Sequence, residues 1–224
     1  MPDPTQNPEP GQVLKSDLFG EVSRLDGPDT QIRRDTAKAP WWTRPIARAL
    51  ARREARTLEA LQGLDGVPQL LDFDGVRLTR SFLAGQPMHH ARPRDPAYFR
   101  EAQALLFALH ARDVIHNDTA KEPNWLVLDD GRPGLIDFQL AAWRPSRSRL
   151  FRSLAREDIR HLLKHKRTYA PDALTARQRA ILNTPGWTSR AWRATVKPVY
   201  LFITRRLLGW ADREGAGDRG SGVR

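Results

Sequence analysis

The sequence predicts an α+β fold in two lobes: an antiparallel sheet with one helix, then a short, mainly helical lobe. Three observations carry this reading. Short β-like runs and a single long helical run fill residues 12–83. After "AGQP" at 84–87 the composition turns helical. One hairpin interrupts that helical part, "NWLVL" and "GLIDF" around "DDGRP", and dense polar groups precede it.

Taken in order, residues 1–11 read as a flexible arm, because four prolines in the first ten residues keep them out of helix and sheet interiors. The arm has no basic n-region and no apolar h-region, so a signal peptide is not expected. "QVLKSDLFGEVSRLDGPDTQIRRDT" reads as short strands with a turn at Gly27-Pro28. "RPIARALARREARTLEALQGL" reads as a helix, its apolar positions Ile46, Leu50, Leu58 and Leu61 lying near helical spacing. "PQLLDFDG" and "VRLTRSFL" supply two more strands, which closes a first lobe over 12–83.

The second lobe, 84–210, opens with "DPAYFREAQALLFALHA", where Asp95 reads as N-cap and Pro96 as the first helical residue. "VIHNDTAKEPNWLVLDDGRPGLIDFQLA" follows, and then two helices, "REDIRHLLKHKRTYA" and "LTARQRAIL". "SRAWRATVKPVYLFITRRLLGW" is mixed in character, and 211–224 is a Gly-rich flexible tail. A cleft between the lobes is the natural place for a ligand.

Composition narrows the classes. The absence of Cys excludes disulfides, thiolate metal sites and Cys nucleophiles, and fits a reducing cytoplasm. The apolar runs are too short to cross a bilayer. Net charge of +11, mostly from Arg, suits phosphates, nucleic acid or anionic lipid. A solvated, Arg-rich face explains the same charge equally well.

The polar stretch has its own chemistry. Asp137, at the end of "LIDF", and Asn124, just before the partner strand, put a carboxylate and an amide oxygen on adjacent strand ends. Such a pair can share one Mg²⁺, which takes few protein oxygens and leaves room for phosphate and water. Asp118 lies in the loop before both and can accept a proton from a hydroxyl or orient it. Lys121 can neutralise charge on a transferred phosphoryl group. Turn chemistry accounts for 129–133 but not for "HND" followed by Asn124 and "IDF".

"HND", Asn124 and "DFQ" resemble the catalytic loop and metal-binding hairpin of the protein-kinase-like superfamily, whose signatures are H-R-D-L-x-x-x-N and D-F-G. The nearest flavour is the small bacterial kinases, including the lipopolysaccharide-core sugar kinases and RIO-like Ser/Thr kinases. The resemblance covers about residues 12–170. It implies a two-lobed protein-kinase-like fold, with Asp118 as catalytic base, Asn124 and Asp137 as metal ligands, and Lys121 as the phosphate-facing lysine. It also implies that His116 holds the loop, that Glu54 is the helix glutamate that pairs with a strand lysine, and that Asp158 is a structural acidic residue. ATP and Mg²⁺ are the implied cofactors, with adenine against the hinge at Ser81, Phe82 and Leu83.

The chain departs from that pattern in several ways. Six residues separate Asp118 from Asn124, one more than in the signature. "LKSDLFGEV" keeps only Gly20 of a glycine loop. No lysine stands on the expected strand, "TQIRRDT". Strand alternation there puts Ile32 and Arg34 on one face, and Arg34 precedes Glu54 by twenty residues, so Arg34 is the candidate phosphate-facing cation. Lys15 and Lys38 are the other two options, Lys38 being the one expected at the surface. Asn117 replaces the Arg of H-R-D, which argues against control by a phosphorylated activation loop. Gln139 replaces the Gly of D-F-G, which should stiffen that turn. No A-P-E follows, so a protein-substrate groove of the eukaryotic type is not expected.

Other features have plainer readings. His161 and His165 have the spacing of a metal pair but no third ligand, so a solvated or lipid-facing helix is preferred. His89-His90 reads as a loop pair. The basic run 144–167, "RPSRSRLFRSLAREDIRHLLKHKR", reads as a solvated helix before a nucleic-acid or membrane face. Trp41-Trp42, beside Arg44 and Arg48, reads as packing of the helix on its sheet before a lipid-interface patch. Three function classes follow. The first is an ATP- and Mg²⁺-dependent phosphotransferase acting on a protein Ser/Thr or a lipid-linked sugar hydroxyl, cytoplasmic and with peripheral contact on an anionic inner membrane. The second is a pseudokinase that binds nucleotide or acts as a scaffold without turnover. The third is a nucleic-acid-binding protein, which charge alone supports.

Overall fold

In a computed structural model, residues 11–184 are described; the first ten residues, the segment 185–210 and the tail from 211 lie outside them. The fold is α+β. A five-stranded antiparallel sheet holds β1 (Gln12–Asp17), β2 (Gly20–Leu25), β3 (Gln31–Asp35), β4 (Leu70–Phe73) and β5 (Arg77–Ser81) in the order β1-β2-β3-β5-β4. The β1–β2 turn sits where a glycine loop was expected. Gly20 has φ +113°, and a Cβ there would lie 2.3 Å from the Asp35 carbonyl, so only glycine fits.

Helix α1 (Arg44–Ala60) follows the 3₁₀ turn Thr36–Lys38 that Asp35 caps through the Ala37 N–H. Its buried face is Ala47, Ala51, Glu54, Ala55 and Leu58. Ile46, expected on the core face, is instead 56% exposed. The helix turns its small residues inward, and small side chains permit a close approach of the helix to its neighbours.

"AGQP", read as a break, contributes β6 (Gly85–Pro87), and His89 and His90 fall in the one-turn helix α2 (Met88–Ala91) rather than a loop. Helix α3 (Pro96–Ala111) is capped by Asp95, whose carboxylate accepts from Ala97 N–H, with Pro96 at its first position. After β7 (Val114–Ile115) comes the expected hairpin, β8 (Trp125–Leu128) against β9 (Pro133–Leu135), with Trp125 opposite Leu135. β6 pairs with the other edge of β8. β10 (Ala142–Trp143) pairs with β7.

Helix α4 spans Arg149–Tyr169, seven residues earlier than expected, because Ser148 caps it through the Phe151 N–H. It is no solvated helix: Asp158, Ile159, Leu162, Leu163 and His165 are all buried. Helix α5 (Ala176–Asn183) begins with a Thr175–Gln178 capping box. Leu106, Leu109, Trp125, Leu135, Phe138 and Leu162 form the centre of the core, which joins α3, the hairpin and α4 under the polar loop. No helix among the described residues is long and apolar enough to cross a membrane.

Candidate active site

The polar loop is built on one buried carboxylate. Asp158, on α4, accepts from the N–H of His116 at 2.9 Å, the N–H of Asn117 at 3.1 Å and the hydroxyl of Thr119 at 3.2 Å. His110 Nε2 lies 3.3 Å from the same carboxylate. Loop amides that would otherwise be unpaired inside the protein thus have an acceptor. His116 completes the anchor. Its Nδ1 accepts from Asp118 N–H at 3.3 Å, so its Nε2 donates to the Ile136 carbonyl at 3.0 Å, and the ring packs edge-on against Phe138.

Asn117 adopts φ 64°, a left-handed conformation that Asn tolerates better than most residues, and donates from Nδ2 to the Leu140 carbonyl. The residue standing in place of the signature's Arg therefore shapes the loop. The extra loop residue is taken up by successive turns, Lys121 N–H to the Asp118 carbonyl and Asn124 N–H to the Lys121 carbonyl.

Asp118 and Asn124 are joined directly. Asn124 donates from Nδ2 to the Asp118 carbonyl and to its Oδ2, both at 3.0 Å. Lys121 Nζ sits 2.9 Å from the same Oδ2. Asp118 Oδ1 makes no hydrogen bond among the described residues. Asn124 also accepts, at its backbone carbonyl, from Ile136 N–H at 2.9 Å, which sets it beside Asp137 across the strand ends.

Asp137 takes φ 66° and ψ 71°, and its Oδ1 accepts from Gln139 Nε2 at 3.0 Å. The left-handed residue is Asp137 itself, so the glycine replaced at 139 is not needed for the turn. Gln139 instead steadies the carboxylate. Because Asn124 spends its amide N–H₂ on Asp118, its Oδ1 is left as an acceptor, and Asp137 Oδ2 has no partner among the described residues. These two hard oxygens fit a Mg²⁺ ion that takes the rest of its shell from phosphate and water. They do not make an all-protein cage: no group of three or more His, Asp or Glu suited to a metal occurs among the described residues.

The sheet contributes a second cluster. Arg34 and Ile32 are the buried members of β3, and Arg34 Nε lies 3.4 Å from Glu54 Oε2. Arg80 on β5, which the sequence reading did not single out, lies 3.4 Å from Glu54 Oε1. Alternation in "RLTRS" puts Arg80 on the face of Leu78, and that signal was available. Lys15 is exposed on β1 and pairs with Asp17 at 2.8 Å, and Lys38 is exposed. Glu54's neighbour Arg53 donates from Nε to the Ala141 carbonyl, tying α1 to the segment after Asp137. After β5, Ser81 N–H donates to the Gln69 carbonyl and Phe82 N–H to the Thr30 carbonyl.

Several side chains sit elsewhere than expected. Glu122, beside Pro123, accepts from Tyr169 OH at 2.6 Å, and burial with that bond raises the Tyr169 phenol to about 12. His165 is buried and donates from Nε2 to the Thr119 carbonyl at 2.9 Å, so it braces the loop from α4. Burial, with Lys164 nearby, pushes His161 down to about 4. Trp41 and Trp42 do not pack on the sheet; they are 80% and 52% exposed. No protein-family model matches the chain, and no curated protein sequence matches it.

Proposed function

We propose that the chain is an ATP- and Mg²⁺-dependent phosphotransferase with a two-lobed protein-kinase-like fold, akin to the small bacterial sugar and Ser/Thr kinases. The observation that carries this reading is the joined set Asp118–Asn124–Asp137. Asn124 Nδ2 donates to Asp118 Oδ2, the Asn124 carbonyl accepts from the N–H of Ile136 next to Asp137, and each of the three keeps a side-chain oxygen without a hydrogen bond among the described residues. Asn124 and Asp137 would hold Mg²⁺, which offsets phosphate charge when bound. Asp118 would take up or orient the acceptor hydroxyl through Oδ1, with the acceptor a protein Ser/Thr or a lipopolysaccharide-type sugar. Lys121, in contact with Asp118, would move to the transferred phosphoryl group. Arg34, held by Glu54, would face the nucleotide phosphates. Since the N–H groups of Ser81 and Phe82 are engaged, adenine would meet the hinge at Leu83 and the Phe82 carbonyl.

A second reading, a nucleotide-binding pseudokinase, draws support from Arg34 standing where a lysine would be and from Lys121 pairing with Asp118 at 2.9 Å. The exposed Trp41, Trp42 and Ile46 near Arg44 and Arg48 support peripheral contact with an anionic membrane on the cytoplasmic side. The deciding experiment follows label from the γ-phosphate of ATP, with and without Mg²⁺, into water, protein and lipid-linked sugar. Label in a hydroxyl acceptor supports the phosphotransferase; tight ATP binding without transfer supports the pseudokinase.

A further inference from the structure

Glu54 is fully buried, yet it faces two cations rather than one. Arg34 and Arg80 are each about nine-tenths buried, and each approaches a different Glu54 oxygen with its Nε at 3.4 Å. A guanidinium keeps its proton in a protein, so the three side chains carry a net charge of one positive unit inside the sheet–helix interface. Neither Glu54 oxygen has a partner in hydrogen-bond geometry. Each guanidinium has five N–H donors, more than its single Nε approach to Glu54 engages.

Two cations around one buried carboxylate, whose oxygens lack a hydrogen-bond donor, leave an excess charge that is costly unless something pairs with it. The sheet register aims the two arginines at one place. Ile32 is opposite Arg80 and Arg34 is opposite Leu78, so both guanidiniums rise from the same face of neighbouring strands β3 and β5. Diagonal neighbours of this kind are within reach of one another through long side chains. About a tenth of each side chain still meets solvent, so a small anion can reach the donors.

We infer that Arg34, Glu54 and Arg80 form an anion site, that Arg80 is its second cation, and that the ligand is a phosphoryl group offering at least two oxygens to the paired forks. The assignment of that group to the nucleotide rests on the phosphotransferase reading; the anion site does not. Glu54 then acts as a spacer that holds two arginines at a fixed separation, and the anion balances the remaining charge.

The test uses the full chain and calorimetric titration with inorganic phosphate, pyrophosphate and ATP, each without Mg²⁺. Wild type should bind pyrophosphate and ATP, and Arg80→Met should weaken both by roughly tenfold or more, as loss of a charge-assisted pair implies. Arg80→Lys should fall between them, because it keeps the charge and loses the fork. If Arg80→Met does not fold, Glu54→Gln serves. It raises the local charge, so phosphate should raise its melting temperature more than that of wild type. Binding of pyrophosphate with no binding of ATP would keep the anion site and sink the nucleotide assignment. ATP binding that is unchanged in Arg80→Met, or folded wild type that binds none of the three, would overturn the inference.

Discussion

The Asn124 amide holds Asp118 at two points, donating from Nδ2 to its backbone carbonyl and to its carboxylate Oδ2, each at 3.0 Å. The loop carboxylate is thereby fixed through Oδ2, and its Oδ1 makes no hydrogen bond among the described residues. Asp118→Asn keeps an oxygen for Asn124 but removes the basic carboxylate. Phosphoryl transfer should fall about 10²–10⁴-fold, the usual contribution of a positioned base. On the phosphotransferase reading ATP affinity should stay near wild type, since the residues proposed to meet adenine and the metal are untouched. Calorimetric affinity beside a turnover assay checks this; an equal fall in both would make Asp118 a structural residue.

Asp158 is expected to matter for folding rather than chemistry. It accepts from two loop N–H groups and the Thr119 hydroxyl while almost fully buried. Asp158→Ala strands those donors, each at a cost of about 1–3 kcal/mol, so a loss of roughly 3 kcal/mol or more is expected. Denaturant unfolding measures it. A variant within about 0.5 kcal/mol of wild type, the usual spread for surface substitutions, would mean the loop finds other acceptors.

Acid should weaken the α4–loop contact through histidine. Burial and Lys164 depress His161 to about 4, and burial also lowers His165. Below pH 6.5 the unfolded chain binds a proton at His161 that the folded chain refuses until about pH 4. This contribution is complete above pH 6.5 and is lost as pH falls to about 4, at a total on the order of 3 kcal/mol. His161→Gln should give a shallower fall in unfolding midpoint across that window. Parallel curves for the two proteins would rule the mechanism out.

What could be read from the chain was local. Alternation in "QIRRD" put Ile32 and Arg34 on one face because a strand's period leaves no other choice. "DDGRP" between two apolar runs specified the hairpin, and Asp95-Pro96 specified a helix start. Hydropathy misled in α1, where Ile46 is exposed and Ala47 and Ala51 are buried, because close packing and the Glu54 cluster choose the face. β6 was hidden because Gly and Pro usually end strands, yet an edge position beside β8 accepts both. Asp158 reaches His116 across 42 residues, and His165 reaches Thr119 across 46, distances over which no periodicity speaks. The bond from Tyr169 OH to Glu122 spans 47 residues and was equally out of reach of local pattern.

Asn124 and Asp137 are proposed to hold Mg²⁺ for ATP turnover. Asp137 has φ 66°, so Asp137→Ala adds backbone strain of about 1–2 kcal/mol. Asp137→Asn tolerates that conformation and removes only the charge, so the two variants together separate strain from metal loss. The most direct measurement is ATP turnover against Mg²⁺ concentration for wild type and Asp137→Asn, with melting temperatures recorded beside it. Mg²⁺-dependent turnover in wild type, absent from a variant that melts near wild type, is the predicted result. Near-normal turnover in folded Asp137→Asn, with an unshifted Mg²⁺ requirement, would contradict the assignment.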